Sequence, residues 1–107
     1  MTTLVTRIIE ILENSKAVNI VHLHVGNKTT ITDDMFICSG LSSRHVQSIA
    51  QILITTLKTE GIAALHVSGL ETGEWALVDF GDAVVHVMQQ ETREFYNLEG
   101  LWQNCCD

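Results

Sequence analysis

An α/β fold in a single domain is what this chain predicts, with a mixed β-sheet of about five strands and helices packed on it. Three observations carry that reading. Residues 74–87 read Glu-Trp-Ala-Leu-Val-Asp-Phe-Gly-Asp-Ala-Val-Val-His-Val, two apolar runs joined by Gly81-Asp82, which is a two-residue hairpin signal. Residues 33–40, 42–60 and 62–67 alternate strand, helix and strand as a βαβ-like unit does. A length of 107 residues suffices for one core and not for two. With no proline, no Ser/Gly-rich stretch and no repeat, the sequence shows no linker. Residues 1–103 are therefore assigned to one domain and 104–107 to a C-terminal tail.

Leu4, Val5, Ile8, Ile9 and Leu12 recur at helical spacing with Arg7, Glu10 and Glu13 opposite, so residues 3–15 form an amphipathic helix whose stripe meets the core. Residues 19–25 follow as a strand with Ile20, His22 and His24 on one face, and Gly26-Asn27 turns the chain. Residues 33–40 are almost continuously apolar and end at Gly40, the pattern of a buried strand. Ser42 is a natural N-cap for the next helix. Val46, Ile49, Ala50, Leu53, Ile54 and Leu57 give that helix its stripe, and Gly61 stands where it should stop. Residues 62–67 make a further strand and 69–73 a loop before the hairpin. Beyond it, Phe95, Leu98, Leu101 and Trp102 are spaced for a last short helix, which Gly100 weakens.

If Gly81 and Asp82 are the loop of the hairpin, Phe80 pairs with Ala83, Asp79 with Val84, Val78 with Val85, Leu77 with His86, Ala76 with Val87 and Trp75 with Met88. Side chains alternate along a strand. One face then collects Ala76, Val78, Phe80, Ala83, Val85 and Val87, all apolar, and belongs to the core. The other collects Trp75, Leu77, Asp79, Val84, His86 and Met88. A face that mixes an indole, a carboxylate and an imidazole is expected to be half exposed and able to bind.

Six Lys and Arg against 13 Asp and Glu leave a net charge of −7, with no basic cluster. Nucleic-acid binders draw most of their affinity from Lys and Arg on phosphates, so little direct nucleic-acid contact is expected. An acidic domain suits a basic protein partner. Cys38, Cys105 and Cys106 are odd in number and two are adjacent, which points to reduced thiols. No basic stretch leads into an apolar core at the N-terminus, and no apolar run is long enough to cross a bilayer. A cytoplasmic location without membrane contact is expected.

Gly40-Leu41-Ser42 lies between a strand and a helix N-terminus, where backbone N–H groups and the helix dipole can meet phosphate. Together with Asp79 and Asp82 it suggests a second reading, a nucleotidyltransferase-type enzyme. That chemistry needs two carboxylates close enough to hold two Mg²⁺ ions. Asp79 and Asp82 straddle a tight turn instead of standing at i and i+2 on one strand, and turn plus cap is the commoner use of such a Gly and Ser. The five histidines include His22 and His24 on one face, but no HExxH or CxxC spacing occurs, so neither metal nor cofactor is assigned. A Cys38–His45 nucleophile is disfavoured because Cys38 falls in a strand expected to be buried, where a thiol is inert. Arg44 in the first helical turn opposes the dipole, which suggests pairing with Asp79, Asp82 or a partner. Trp75, with Tyr96 and Trp102, forms an aromatic set of the kind that anchors protein interfaces; burial under the last helix is the competing reading.

Three ordered blocks are more specific than any of these features. They are Asp33-Asp34-Met35-Phe36-Ile37-Cys38-Ser39-Gly40-Leu41-Ser42-Ser43-Arg44-His45-Val46; Gly73-Glu74-Trp75 through Asp79-Phe80-Gly81-Asp82 to Val85-His86-Val87; and Glu91-x-Arg93-x-Phe95-Tyr96-x-Leu98-Glu99-x-Leu101-Trp102. Over residues 3–102 the chain resembles the ribosomal silencing factor family, also called Iojap-like. The resemblance implies a domain shaped like the nucleotidyltransferases but without their activity. It implies binding to the large ribosomal subunit through the fourteenth large-subunit ribosomal protein, on the intersubunit face. Occupying that face keeps the small subunit from joining and represses translation when nutrients are short. The family's signature residues correspond here to Asp33, Gly40, Ser42, Arg44, His45, Trp75, Asp79, Gly81, Asp82, His86, Glu91, Arg93, Tyr96, Leu98 and Trp102. The ribosomal contact is expected chiefly at Trp75, Leu77, Asp79, Tyr96 and Leu98, with Arg93 and Arg44 expected to orient acidic neighbours or reach a phosphate. Asn19, His24 and Asp34 depart from the family pattern at the first sheet edge. A homodimer when free is compatible with all of this.

Overall fold

In a computed structural model of the protein, residues 4–24 and 34–92 are described. The chain runs α1 (Leu4–Asn14), β1 (Val18–His24), β2 (Asp34–Gly40), α2 (Ser43–Thr59), β3 (His66–Ser68), β4 (Trp75–Asp79) and β5 (Ala83–Gln89). The Gly26-Asn27 turn, the helix expected over Phe95 to Trp102, the tail, and Cys105 and Cys106 lie outside the described residues.

Both helices form where their apolar periodicity places them. In α1, Ile8, Ile11 and Leu12 are buried, and the helix ends as the Ser15 N–H and hydroxyl both turn back to the Ile11 carbonyl. Ser42 caps α2: its extended backbone holds Oγ 3.1 Å from the His45 N–H, which donates to it. Val46, Ile49, Ala50, Leu53 and Leu57 are buried, and the last turn closes with the Glu60 and Gly61 N–H groups donating to the Leu57 and Lys58 carbonyls.

The five strands form one mixed sheet in the order β1-β2-β5-β4-β3. β1 is antiparallel to β2, β2 parallel to β5, and β5, β4 and β3 successively antiparallel. The hairpin has the register expected from its Gly-Asp loop, from Trp75 opposite Met88 to Asp79 opposite Val84, and the Phe80 N–H donates to the Ala83 carbonyl at 2.8 Å. Gly81 sits at φ 92°, and its N–H donates to Asp79 Oδ1 at 2.8 Å. A side chain would be strained there.

Two expectations are corrected. Strand 62–67 shrinks to His66–Ser68: the Ile62 N–H closes the end of α2 on the Leu57 carbonyl, and the segment reaches β4 at Leu65, whose N–H donates to the Asp79 carbonyl at 2.7 Å. The βαβ-like unit is also not a pair of neighbours, since α2 carries the chain from β2 to β3 across two intervening strands. Residues 83–88 of β5 are buried on both faces and take the central place beside β2, whereas β3 is short and mostly exposed, as an edge strand can be. At the opposite edge, β1 changes register between Val18 and Val21, with Asn19 at φ 51°.

Both helices cover the same sheet face. Ile8, Leu12, Val46, Ile49, Leu53 and Leu57 meet Phe36, Cys38, Ala76, Val78, Val85 and Val87 there, in one continuous core. All six hairpin residues expected on the core side are buried: Ala76, Val78, Phe80, Ala83, Val85 and Val87. An exposed Arg7–Glu60 ion pair, Nη2 to Oε2 2.6 Å, ties α1 to the end of α2. Exposed pairs of this kind contribute little to stability.

Candidate functional site

The sheet face turned away from the helices gathers Met35 and Ile37 from β2, Val84, His86 and Met88 from β5, and Trp75, Leu77 and Asp79 from β4, as register and strand alternation require. Met35, Ile37 and Met88 form a second apolar cluster against which Leu23 and Trp75 pack. Exposure rises from the centre outward. Ile37 and Met88 are 0 % exposed, Val84 and His86 are 9 % exposed, and the β4 row of Trp75, Leu77 and Asp79 is half-buried. The face was expected to be half exposed. Its β5 members are buried instead, at the centre of the sheet, and the face opens toward its edges, through the half-buried β4 row to exposed His66 and Ser68 on β3 and to half-buried Val21 and Leu23 on β1.

Trp75 is held at that opening by a specific bond. Its indole N–H donates to His86 Nδ1 at 2.9 Å, with the rings 5.8 Å apart and tilted by 47°. Because Nδ1 accepts, the imidazole proton sits on Nε2. Burial pushes the His86 pKa down to about 4, so the ring stays a neutral acceptor at neutral pH. The polar end of the indole is thereby satisfied inside the face while its hydrocarbon rests on the Met35, Ile37 and Met88 cluster. The bond went unread in the sequence, although the signal was there: Trp75 faces Met88, and His86, two residues along, is its diagonal neighbour. The start of β4 is fixed from behind by Gly69, at φ 79°, where a Cβ would run into the Trp75 carbonyl.

The other assigned residues are spread out. Leu77 lies opposite His86. Asp79 uses Oδ1 to brace the hairpin turn and so has a structural task on any reading of function. Arg44 is exposed in the first turn of α2, at the far end of the sheet from the hairpin loop, and among the described residues it pairs with neither Asp79 nor Asp82. Arg93, Tyr96 and Leu98 lie outside the described residues, as do Asp33 and Trp102.

The residues of the enzymatic reading are not brought together. Gly40 pairs with Gln89 at one end of β2, whereas Asp34, at the other end, pairs with Ala83 and donates its N–H to the Asp82 carbonyl. At about 3.3 Å per residue, the length of β2 puts Gly40 and Ser42 roughly 20 Å from Asp82. The strand-helix junction also satisfies two of its own donors, the His45 N–H on Ser42 Oγ and the Leu41 N–H on His45 Nδ1. Gly40 is there for packing: a Cβ would lie 2.7 Å from Val46 Cγ2 and 2.9 Å from the Val46 nitrogen. Gly40→Ala is therefore expected to lower the unfolding free energy by about 2 kcal/mol through displacement of α2. Urea unfolding checks this, and an unchanged midpoint would refute the packing role.

His22 Nε2 lies 2.8 Å from Asp34 Oδ1, with its ring stacked on Phe36 at 4.6 Å, while the side chain of His24 lies outside the description. Among the described residues, no group of three or more His, Cys, Asp or Glu side chains is placed to hold a metal. Cys38 is buried in the core, and His45 uses both ring nitrogens on backbone groups, the Leu41 N–H and the Ser15 carbonyl. Among the described residues no helix is long and apolar enough to cross a membrane.

Comparison with known proteins agrees with this fold. The family model RsfS, described as ribosomal silencing factor during starvation, matches residues 1–107. A ribosomal silencing factor RsfS from Haemophilus influenzae is 46% identical over 99 residues, covering 92% of this chain and 97% of its own. A mouse protein named mitochondrial assembly of ribosomal large subunit protein 1 is 34% identical over 98 residues, covering 89% of this chain and 43% of its own. A crystal structure of a protein from Chromobacterium violaceum superposes with a TM-score of 0.88 at 37% identity, covering 94% of this chain and 83% of that one. With its whole length matched and its sheet shared, the chain belongs to the RsfS family, ribosomal silencing factor during starvation.

Proposed function

We propose that this protein silences ribosomes by binding, without catalysis, to the fourteenth ribosomal protein of the large subunit, on the intersubunit face. Bound there it stands in the way of the small subunit, and repression of translation follows from steric exclusion. The observation that carries this reading is the half-buried Trp75, bonded to His86 and backed by an apolar cluster, where the buried centre of the sheet face gives way to its more open β4 side. An aromatic pre-set in this way is the type of group that dominates protein interfaces. Leu77 and Asp79 extend the contact along β4, with Tyr96, Leu98 and Arg93 completing it and Arg44 reaching an acidic neighbour or a phosphate.

Charge supports the same class of partner. A net charge of −7 repels RNA and attracts a Lys/Arg-rich ribosomal protein, chiefly through faster association. One relative named as a ribosomal silencing factor and another named for mitochondrial assembly of the ribosomal large subunit support this reading, and a cytoplasmic location is proposed with it. The protein is expected to co-sediment with purified large subunits and not with small ones, and binding should weaken as salt screens the charges. Co-sedimentation with small subunits alone, or with neither, would remove the reading.

A further inference from the structure

We infer that His86 is a positioning residue for partner binding: by accepting the indole N–H it fixes the rotamer in which Trp75 presents its outer edge, without touching the partner itself. The inference rests on the proposed function for the identity of the partner. It rests on this structure for the mechanism.

His86 is 9 % exposed, and its neighbours in register are Ile37 on β2 and Leu77 on β4, so the imidazole lies beneath the opening and not in it. Trp75 joins the two levels. Its indole N–H points inward to Nδ1 at 2.9 Å and its ring leans 47° across the imidazole. Without the acceptor, a half-buried indole has to turn its N–H toward water or leave it unsatisfied, and either change moves the edge that a partner would read. The cost of binding then includes re-fixing the rotamer, which the imidazole otherwise does in advance.

Two substitutions separate positioning from bulk. His86→Leu keeps an apolar body and removes the acceptor. His86→Asn places Oδ1 where Nδ1 stood and restores it. In titrations against purified large ribosomal subunits, His86→Leu is expected to bind about fivefold more weakly than wild type, the size of one lost hydrogen bond, and His86→Asn to come back within about twofold on the same principle. The Trp75 indole proton, assigned by its loss in Trp75→Phe, should shift upfield in NMR spectra of His86→Leu and exchange faster with solvent.

Failure of the inference is distinguishable from failure of the proposed function. If wild type binds and Trp75→Glu does not, but His86→Leu binds as wild type, positioning is overturned while the function stands. If no form binds large subunits, the function falls, and with it the partner named here. Should His86→Leu not fold, the nitrogen shifts of the wild-type imidazole decide: protonated Nδ1 overturns the inference, and unprotonated Nδ1 with a protected indole proton upholds it.

Discussion

Trp75→Glu is expected to weaken binding to purified large subunits by at least roughly thirtyfold, about 2 kcal/mol, the loss typical of a truncated aromatic anchor. Three effects act in the same direction. The variant removes the indole surface from the opening, leaves His86 Nδ1 without its donor, and brings a charge to the surface a partner would cover. Electrostatics between whole molecules add to the loss only weakly, since one more negative charge on a chain already at −7 should favour a basic partner and slightly offset it. Desolvation of the carboxylate at close contact outweighs that long-range gain.

The fold tolerates the change better than the interface does. Trp75 is half-buried at the first residue of β4, so a Glu side chain can swing outward into water. Urea unfolding should show a loss smaller than that expected for a fully buried core residue, which for large-to-alanine changes runs at about 3–5 kcal/mol. Co-sedimentation titrations on protein verified as folded are the measurement. A folded Trp75→Glu protein that binds as tightly as wild type would remove Trp75 from the contact.

Why the hairpin was legible in the sequence and the sheet order was not has a physical cause. Strand alternation and a two-residue loop are local constraints, so Gly81-Asp82 alone sets which residues of β4 and β5 face each other and which six join the core. The Ser42 cap and the stripe of α2 are equally local. Which strand lies beside β2 is a non-local choice, decided by burial over the whole sheet. The run 62–67 looked strand-like, yet Ile62 is used to finish α2. The same limit governed the candidate site. Trp75, Leu77 and Asp79 could be put on one face from spacing, but the burial of Val84, His86 and Met88 depends on β2 lying beside β5. The roughly 20 Å between Gly40 and Asp82 followed only once the register was known.

Acid should destabilise the protein well before its carboxylates titrate, and His86 is the reason. Its folded pKa is about 4, held down by burial, against an ordinary histidine value of 6.5. Between those values the unfolded chain binds a proton that the folded chain refuses. The stabilisation is therefore complete above about pH 6.5 and is lost progressively as pH falls toward 4. The full span is worth about 3 kcal/mol. Its flanking partners on β2 and β4, Ile37 and Leu77, carry no charge; among the described residues the titratable groups farther along this face are Asp79 on β4 and His66 on β3. Glu60, held below the usual carboxylate range by its hydrogen bond from Arg7, acts in the same sense only near the carboxylate range, and as a fully exposed group it is screened. Urea midpoints measured from pH 7 to pH 4.5 should fall steeply for wild type and much less for His86→Leu, and equal slopes for the two would mean that another group carries the effect. Protonation also turns Nδ1 from acceptor to donor, so the indole N–H loses its partner as the imidazole charges. Large-subunit binding by the protein that stays folded should therefore hold through the range in which stability falls and decline only as pH approaches 4, where the folded imidazole itself charges.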